Sequence, residues 1–303
     1  MNQTPSQPRW NTDLKKGLAS GNKPDANKVL FEAWQLTKEK RTGIGFGIIW
    51  SFLVVLLAVM FVTILVSALG IDIEENAAAE ILISAIASII WAPLMAGLIL
   101  MALRNVSGEN VGGSHVFTLL QQPWVFIGIS VVSMLIGQIP SLIPGVPELL
   151  ALFISLVILF FFSFALTIAV GTRCNVGNAL YASVIIVKQR MAAFFVFYLA
   201  LVFLAFVMVI PAVMFVAGFA AAGSVGQFIA IMLSLAVIYG LAFWLAPLFY
   251  HGLAVFYREI FGQVAAETPT SVYSADETSE VVETSDEEAS SSDKNSDRDN
   301  FQA

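Results

Sequence analysis

Long uncharged apolar runs separated by short polar punctuation dominate the chain, and the longest, from Met191 to Tyr257, holds no Asp, Glu, Lys or Arg. A helix needs roughly 20 apolar residues to cross a hydrocarbon layer of about 30 Å. Six segments meet that need, at about 43–69, 77–103, 124–142, 149–172, 191–217 and 228–257. The acidic turn Asp72, Glu74, Glu75 divides the first pair, and the stretch Pro140 to Pro147, which cannot continue a helix, divides the second. The last pair is predicted to fold back at the glycine and alanine cluster Gly218 to Gly226. The expected architecture is all-α: a polytopic membrane protein with six transmembrane helices in three hairpins.

Between these runs the pattern becomes amphipathic. In 27–40, Val29, Leu30, Ala33, Trp34 and Leu36 recur at helical spacing while Lys28, Glu32, Gln35 and Glu39 take the other side. Trp34 on one face, with Lys38, Lys40 and Arg41 at the end, suits a helix lying among lipid head groups. Leu180, Tyr181, Val184, Ile185 and Val187, followed by Lys188 and Arg190, repeat the pattern before the fifth span; aligned, Leu30 falls on Leu180, Phe31 on Tyr181 and Lys38 on Lys188. A shorter candidate, 116–122, precedes the third span.

The second member of each hairpin carries a matching signal. WAPLMAGLILMALR, ending at Arg104, and LAPLFYHGLAVFYR, ending at Arg258, share Ala, Pro, Leu and the closing Arg; FFFSFALTIAVGTR ends at Arg173 but lacks the proline. Three copies of one unit are inferred, each a surface helix, a span, a short outer turn, a span and an arginine.

Charge then orients the bundle. Basic residues precede the first span or follow the second, fourth and sixth, whereas the opposite loops carry only Asp72, Glu74, Glu75 and Glu148. Basic loops face the cytoplasm, so both termini are expected there, in a bacterial inner membrane. Trp34, Lys38, Arg41, Arg104, Arg173, Lys188, Arg190 and Arg258 are the expected interface anchors. The polar residues before the first span argue against a cleaved secretory signal. Residues 1–26 and 263–303, rich in polar and acidic residues, are expected to be disordered cytoplasmic tails flanking a membrane domain at 27–262. With 58% hydrophobic and 12% charged residues, a water-soluble fold is excluded. The net charge of −7 comes from the acidic tail, and no basic nucleic-acid surface is indicated.

The stretches VLFEAWQLTKEK, APLMAGLILMALRNVSGENV, ALYASVIIVKQRMAAFF and FYREIFG resemble those of uncharacterised bacterial six-span inner-membrane proteins. The layout is similar to the membrane domain that accompanies some glycerophosphodiester phosphodiesterases. No phosphodiesterase catalytic domain is present, so the resemblance implies a six-span membrane protein and no activity.

Candidate chemistry is sparse. A single cysteine, Cys174, excludes an internal disulfide framework, and His115 and His251 lie too far apart in sequence to share a metal by helical spacing. No catalytic, cofactor-binding or metal-binding residue is assigned; the closest pairings, His115 with Glu109 and His251 with Glu259, lack a third orienting group. Pro93 and Pro247, each 11 residues before an arginine, are expected near the bilayer midplane as kinks or as walls of a cavity. His251 is expected to bond a neighbouring carbonyl near the interface. Ser130, Ser163 and Thr167, among other span hydroxyls, are read as helix hydrogen-bonding groups. The expected function is non-enzymatic: a membrane scaffold with lipid contacts and a possible protein partner at the cytoplasmic face, with homo-oligomers possible. The alternative is a permease for a neutral or amphipathic solute using a cavity near Pro93 and Pro247.

Overall fold

The computed structural model describes residues 14–70, 77–143, 145–220 and 223–262. These all fall in one compact unit, Met1–Ala265; the second, Ala266–Ala303, lies outside the described residues, as does the acidic tail it contains. The acidic turn Asp72, Glu74, Glu75 is likewise outside them.

Every described element is helical. They are α1 (Leu14–Ala19), α2 (Ala26–Ala68), α3 (Ala77–Val106), α4 (Trp124–Gln138), α5 (Glu148–Phe162), α6 (Ala165–Thr172), α7 (Val176–Gln189), α8 (Met191–Ala220), α9 (Gly223–Gly240) and α10 (Ala246–Phe261). Short 3-10 segments cover Gly113–Gln121 and Ile139–Leu142, and a π-helical turn, Leu241–Leu245, joins α9 to α10. Six stretches are long and apolar enough to cross a membrane: Ala26–Ala68, Ala85–Val106, Trp124–Leu142, Glu148–Thr172, Met191–Phe219 and Gly223–Phe261. The chain is an integral, multi-pass membrane protein whose spans pair as α2 with α3, α4 with α5–α6, and α8 with α9.

Two expectations are corrected. The helix predicted at 27–40 is no separate surface element: α2 runs 43 residues without a break, because Gly43, Gly45 and Gly47 serve contact rather than interruption. A Cβ at Gly43 would meet the Val111 carbonyl, one at Gly45 the Phe243 ring and one at Gly47 the Leu98 side chain. Close approach offsets the entropic cost of glycine in a helix. Second, residues 14–26, expected to be disordered, form α1 and a strap that Arg190 holds down: its Nε donates to Asn22 O at 2.8 Å and its Nη2 to Ser20 O at 2.6 Å.

The three second spans are marked at matching places, by a proline inside an unbroken α3 and by breaks in the other two. Pro93 sits inside α3, Ser163 and Phe164 break α5 from α6, and the π turn precedes Pro247. Proline has no N–H for the carbonyl one turn back, and at Pro247 the extra residue of the π turn takes up the mismatch. The fourth span reaches the same result without proline: the Ser163 hydroxyl donates to Phe160 O at 2.7 Å, competing with the helix ladder. Beyond these places, the segments that close at Arg104, Arg173 and Arg258 pack on one another and form the core. Leu94, Met101, Leu103, Phe164, Ala165, Ile168, Val255 and Phe256 are fully buried there, and Phe194 stacks on Phe256 at 4.4 Å between ring centres. The other halves of the hairpins present Phe61, Phe153, Phe203, Met214 and Phe228 outward, as expected where lipid is as good a solvent for a side chain as another helix.

Candidate functional site

The polar chemistry of the core gathers where α2, α3 and α10 meet. α10 runs antiparallel to the first third of α2, giving a ladder of cross-helix pairs. Lys28 Nζ lies 3.6 Å from Glu259, Arg258 grips Glu32 through both Nη atoms at 2.5 and 2.7 Å, and Thr37 meets His251. At the far end Trp34 packs on Trp244 with ring centres 5.3 Å apart, and the Arg41 guanidinium sits 3.7 Å over the same indole. A cation over an indole face is held by the ring quadrupole.

His251 is fully buried and bonded at both nitrogens. Asn105 Nδ2 donates to its Nε2 at 3.0 Å, so the ring proton is on Nδ1 and goes to Thr37 Oγ1, also at 3.0 Å. The Thr37 hydroxyl passes its own proton to Ala33 O at 2.7 Å. The ring thus donates once and accepts once, while Asn105 Oδ1 has no hydrogen-bond partner among the described residues. Lys40 Nζ closes the end of α3 by donating to Asn105 O at 3.2 Å and Glu109 O at 2.9 Å, where unpaired carbonyls and the helix dipole favour a cation. The expected carbonyl partner of His251 is therefore replaced by a hydroxyl and an amide from two other helices.

The proposed His251–Glu259 pairing does not form, since Glu259 is engaged by Arg258 and Lys28. His115 turns back on its own loop, its Nδ1 3.0 Å from Gly112 O, while Glu109 Oε2 lies 3.9 Å from Arg104 Nε. Pro93 and Pro247 are buried, and their neighbourhoods touch: the Tyr250 hydroxyl donates to the Met95 sulfur. Leu94, Leu98 and Leu248 fill the space around them to 2% exposure or less. The cavities described below take no lining from either proline or from His251.

The expected anchors divide. Lys38 and Lys188 are exposed, Trp34 and Arg41 lean on Trp244, and Arg173 is exposed in the left-handed conformation that ends α6. Arg104 and Arg190 are instead only 2% and 5% exposed, committed to the fold rather than to head groups. Arg190 binds the 20–22 strap; Arg104 Nε and Nη2 find no hydrogen-bond acceptor among the described residues. In the charged first third of α2, ahead of the apolar residues 43–69, the Arg258 guanidinium holds the Glu32 carboxyl below its ordinary range. Between α6 and α7, burial pushes the Cys174 thiol up.

Thr37 and Asn105 were not singled out in the sequence. Thr37 does carry a signal, being a polar residue one turn beyond Ala33 and two beyond Val29 on the stripe that becomes buried.

Three cavities among the described residues lie close to polar or aromatic side chains. One of about 250 Å³ lies among Leu100, Thr118, Gln122, Phe126 and Arg173, and an apolar one of about 380 Å³ lies beside the π turn among Tyr198, Leu201, Leu241 and Phe249. The third, of about 610 Å³, runs between α4 and α5 and is lined by Ser130, Ser133, Gln138, Ser141, Glu148 and Leu156, among others.

Compared with family models, curated proteins and solved structures, the chain gives no match in any of the three.

Proposed function

We propose that this protein is a non-enzymatic component of a bacterial inner membrane, with both termini in the cytoplasm, that works through lipid contact and partner docking at its basic face. The observation that carries the reading is the matched presentation of Phe31 and Tyr181. These residues hold the same position in two repeats, and each is 65% exposed with an exposed lysine two helical turns further on, Lys38 in one repeat and Lys188 in the other. Aromatic rings and cations at the end of a span suit an anionic leaflet. A permease built on Pro93 and Pro247 draws no support from a region filled by Leu94, Leu98 and Leu248.

The test replaces Phe31 or Tyr181 by Trp in vesicles of phosphatidylglycerol carrying bromine near the head group. Quenching of both reporters, lost when the vesicles are neutral, is the expected result. Solute flux or substrate turnover by the purified chain would overturn the proposal.

A further inference from the structure

The groove between α4 and α5 sets serines, a glutamine and a carboxylate among apolar side chains on the outside of the hairpin. The hairpin from Trp124 to Thr172 holds a single charge, Glu148, and no Lys or Arg occurs between Arg104 and Arg173. Glu148 lines the groove and makes no ion pair among the described residues. Register is fixed by the Ser155 hydroxyl, which donates across the hairpin to Gly137 O at 2.6 Å. That pairing places Gln138, Ser141 and Glu148 at the outer mouth, and Ser130 and Leu159 toward the inner end. Ser51 and Ser234 turn their hydroxyls back to their own helices. Ser130 and Ser133 instead have no hydrogen-bond partner among the described residues and face the cavity unspent.

Hydroxyls in hydrocarbon are expensive unless something satisfies them, and the Glu148 carboxylate at the mouth stands ready to meet a cation. We infer that the α4–α5 groove binds one membrane lipid whose head group carries an ammonium. Glu148 takes the ammonium, Gln138 and Ser133 donate to the phosphate or ester oxygens, and a chain lies along Leu152, Leu156 and Leu159. The charge selects a cation, since the hairpin offers an anion no basic group. Entry selects a lipid, because Met134, Leu152 and Leu156 are exposed along the rim and the groove opens sideways into the leaflet. Its volume of about 610 Å³ falls in the usual range of ligand pockets, about 300–1,000 Å³.

The experiment is native mass spectrometry of the detergent-purified full chain, titrated with phosphatidylethanolamine or phosphatidylglycerol of identical acyl chains. One phosphatidylethanolamine per chain, preferred roughly ten-fold over phosphatidylglycerol, is expected. Glu148→Gln should abolish the preference, and Ser133→Leu, which fills the groove, should lose the bound lipid. Phe215→Leu on the outer face of α8 should change neither. Should Ser133→Leu fail to fold, the exposed Glu148 still decides. Equal binding of the two lipids, or a preference that survives Glu148→Gln, overturns the inference. Saturable binding of dodecylammonium that phosphatidylethanolamine does not displace would also overturn it, making the occupant a soluble cationic amphiphile.

Discussion

Arg258 closes a two-pronged ion pair on Glu32, tying α10, the last described helix, to α2. The pair is partly exposed, so its contribution is modest, about 1 kcal/mol for well-aligned bidentate geometry. Glu32→Gln should lower thermal stability in detergent by about that amount near neutral pH, and salt should narrow the gap to wild type. The pH dependence has a definite sign. With the folded pKa of Glu32 held below its ordinary value of 4.5, the stabilisation is present above that value and is lost as pH falls through the lower folded one. Acid should therefore erase the difference between variant and wild type; a gap that widens below pH 4 would contradict the assignment.

Replacing His251 by Ala removes both ring hydrogen bonds and leaves a void among fully buried neighbours. A loss of about 2–4 kcal/mol is expected, measured as a fall in unfolding midpoint. A double-mutant cycle with Thr37→Val should show coupling above about 0.5 kcal/mol, whereas additive effects would mean that the two side chains do not interact.

Gly97 and Gly137 make a matched pair. A Cβ at Gly97 would strike the Val116 carbonyl, whereas one at Gly137 would rest 3.6 Å from Leu159, an ordinary contact. Gly97→Ala should destabilise by about 1–3 kcal/mol through overpacking. Gly137→Ala should be near neutral in the same unfolding assay, and equal effects would count against the close fit of the 113–121 segment over α3.

Thiol labelling separates packed core from water path. In a Cys174→Ser background, Cys at Met95 or Phe249 should resist an impermeant reagent from either side, while Cys at Tyr181 reacts. Wild-type Cys174 itself should react slowly, since burial raises its pKa and thins the thiolate that reacts. Rapid labelling at Met95 would reopen the permease reading.

How far the sequence reaches is clearest in the second spans. Pro93 and Pro247 are visible as proline in apolar runs, and the arginine that closes each repeat is visible too. The break at Ser163 is not, because a serine bends or spares a helix according to where its hydroxyl finds a carbonyl. Likewise Ser130 and Ser133 read as ordinary span hydroxyls until the second wall of the groove is in place.

The all-α fold and the number of spans follow from the sequence alone, because they depend on local hydropathy, which acts within one segment. The hydrogen-bond chain through His251, the burial of Arg104 and Arg190, and the polar groove between α4 and α5 were decided only by tertiary structure. In a membrane the core and the lipid are equally apolar, so the pattern along a span does not mark which face turns inward. Only the packing of α2, α3 and α10 brings Thr37, Asn105 and His251 together.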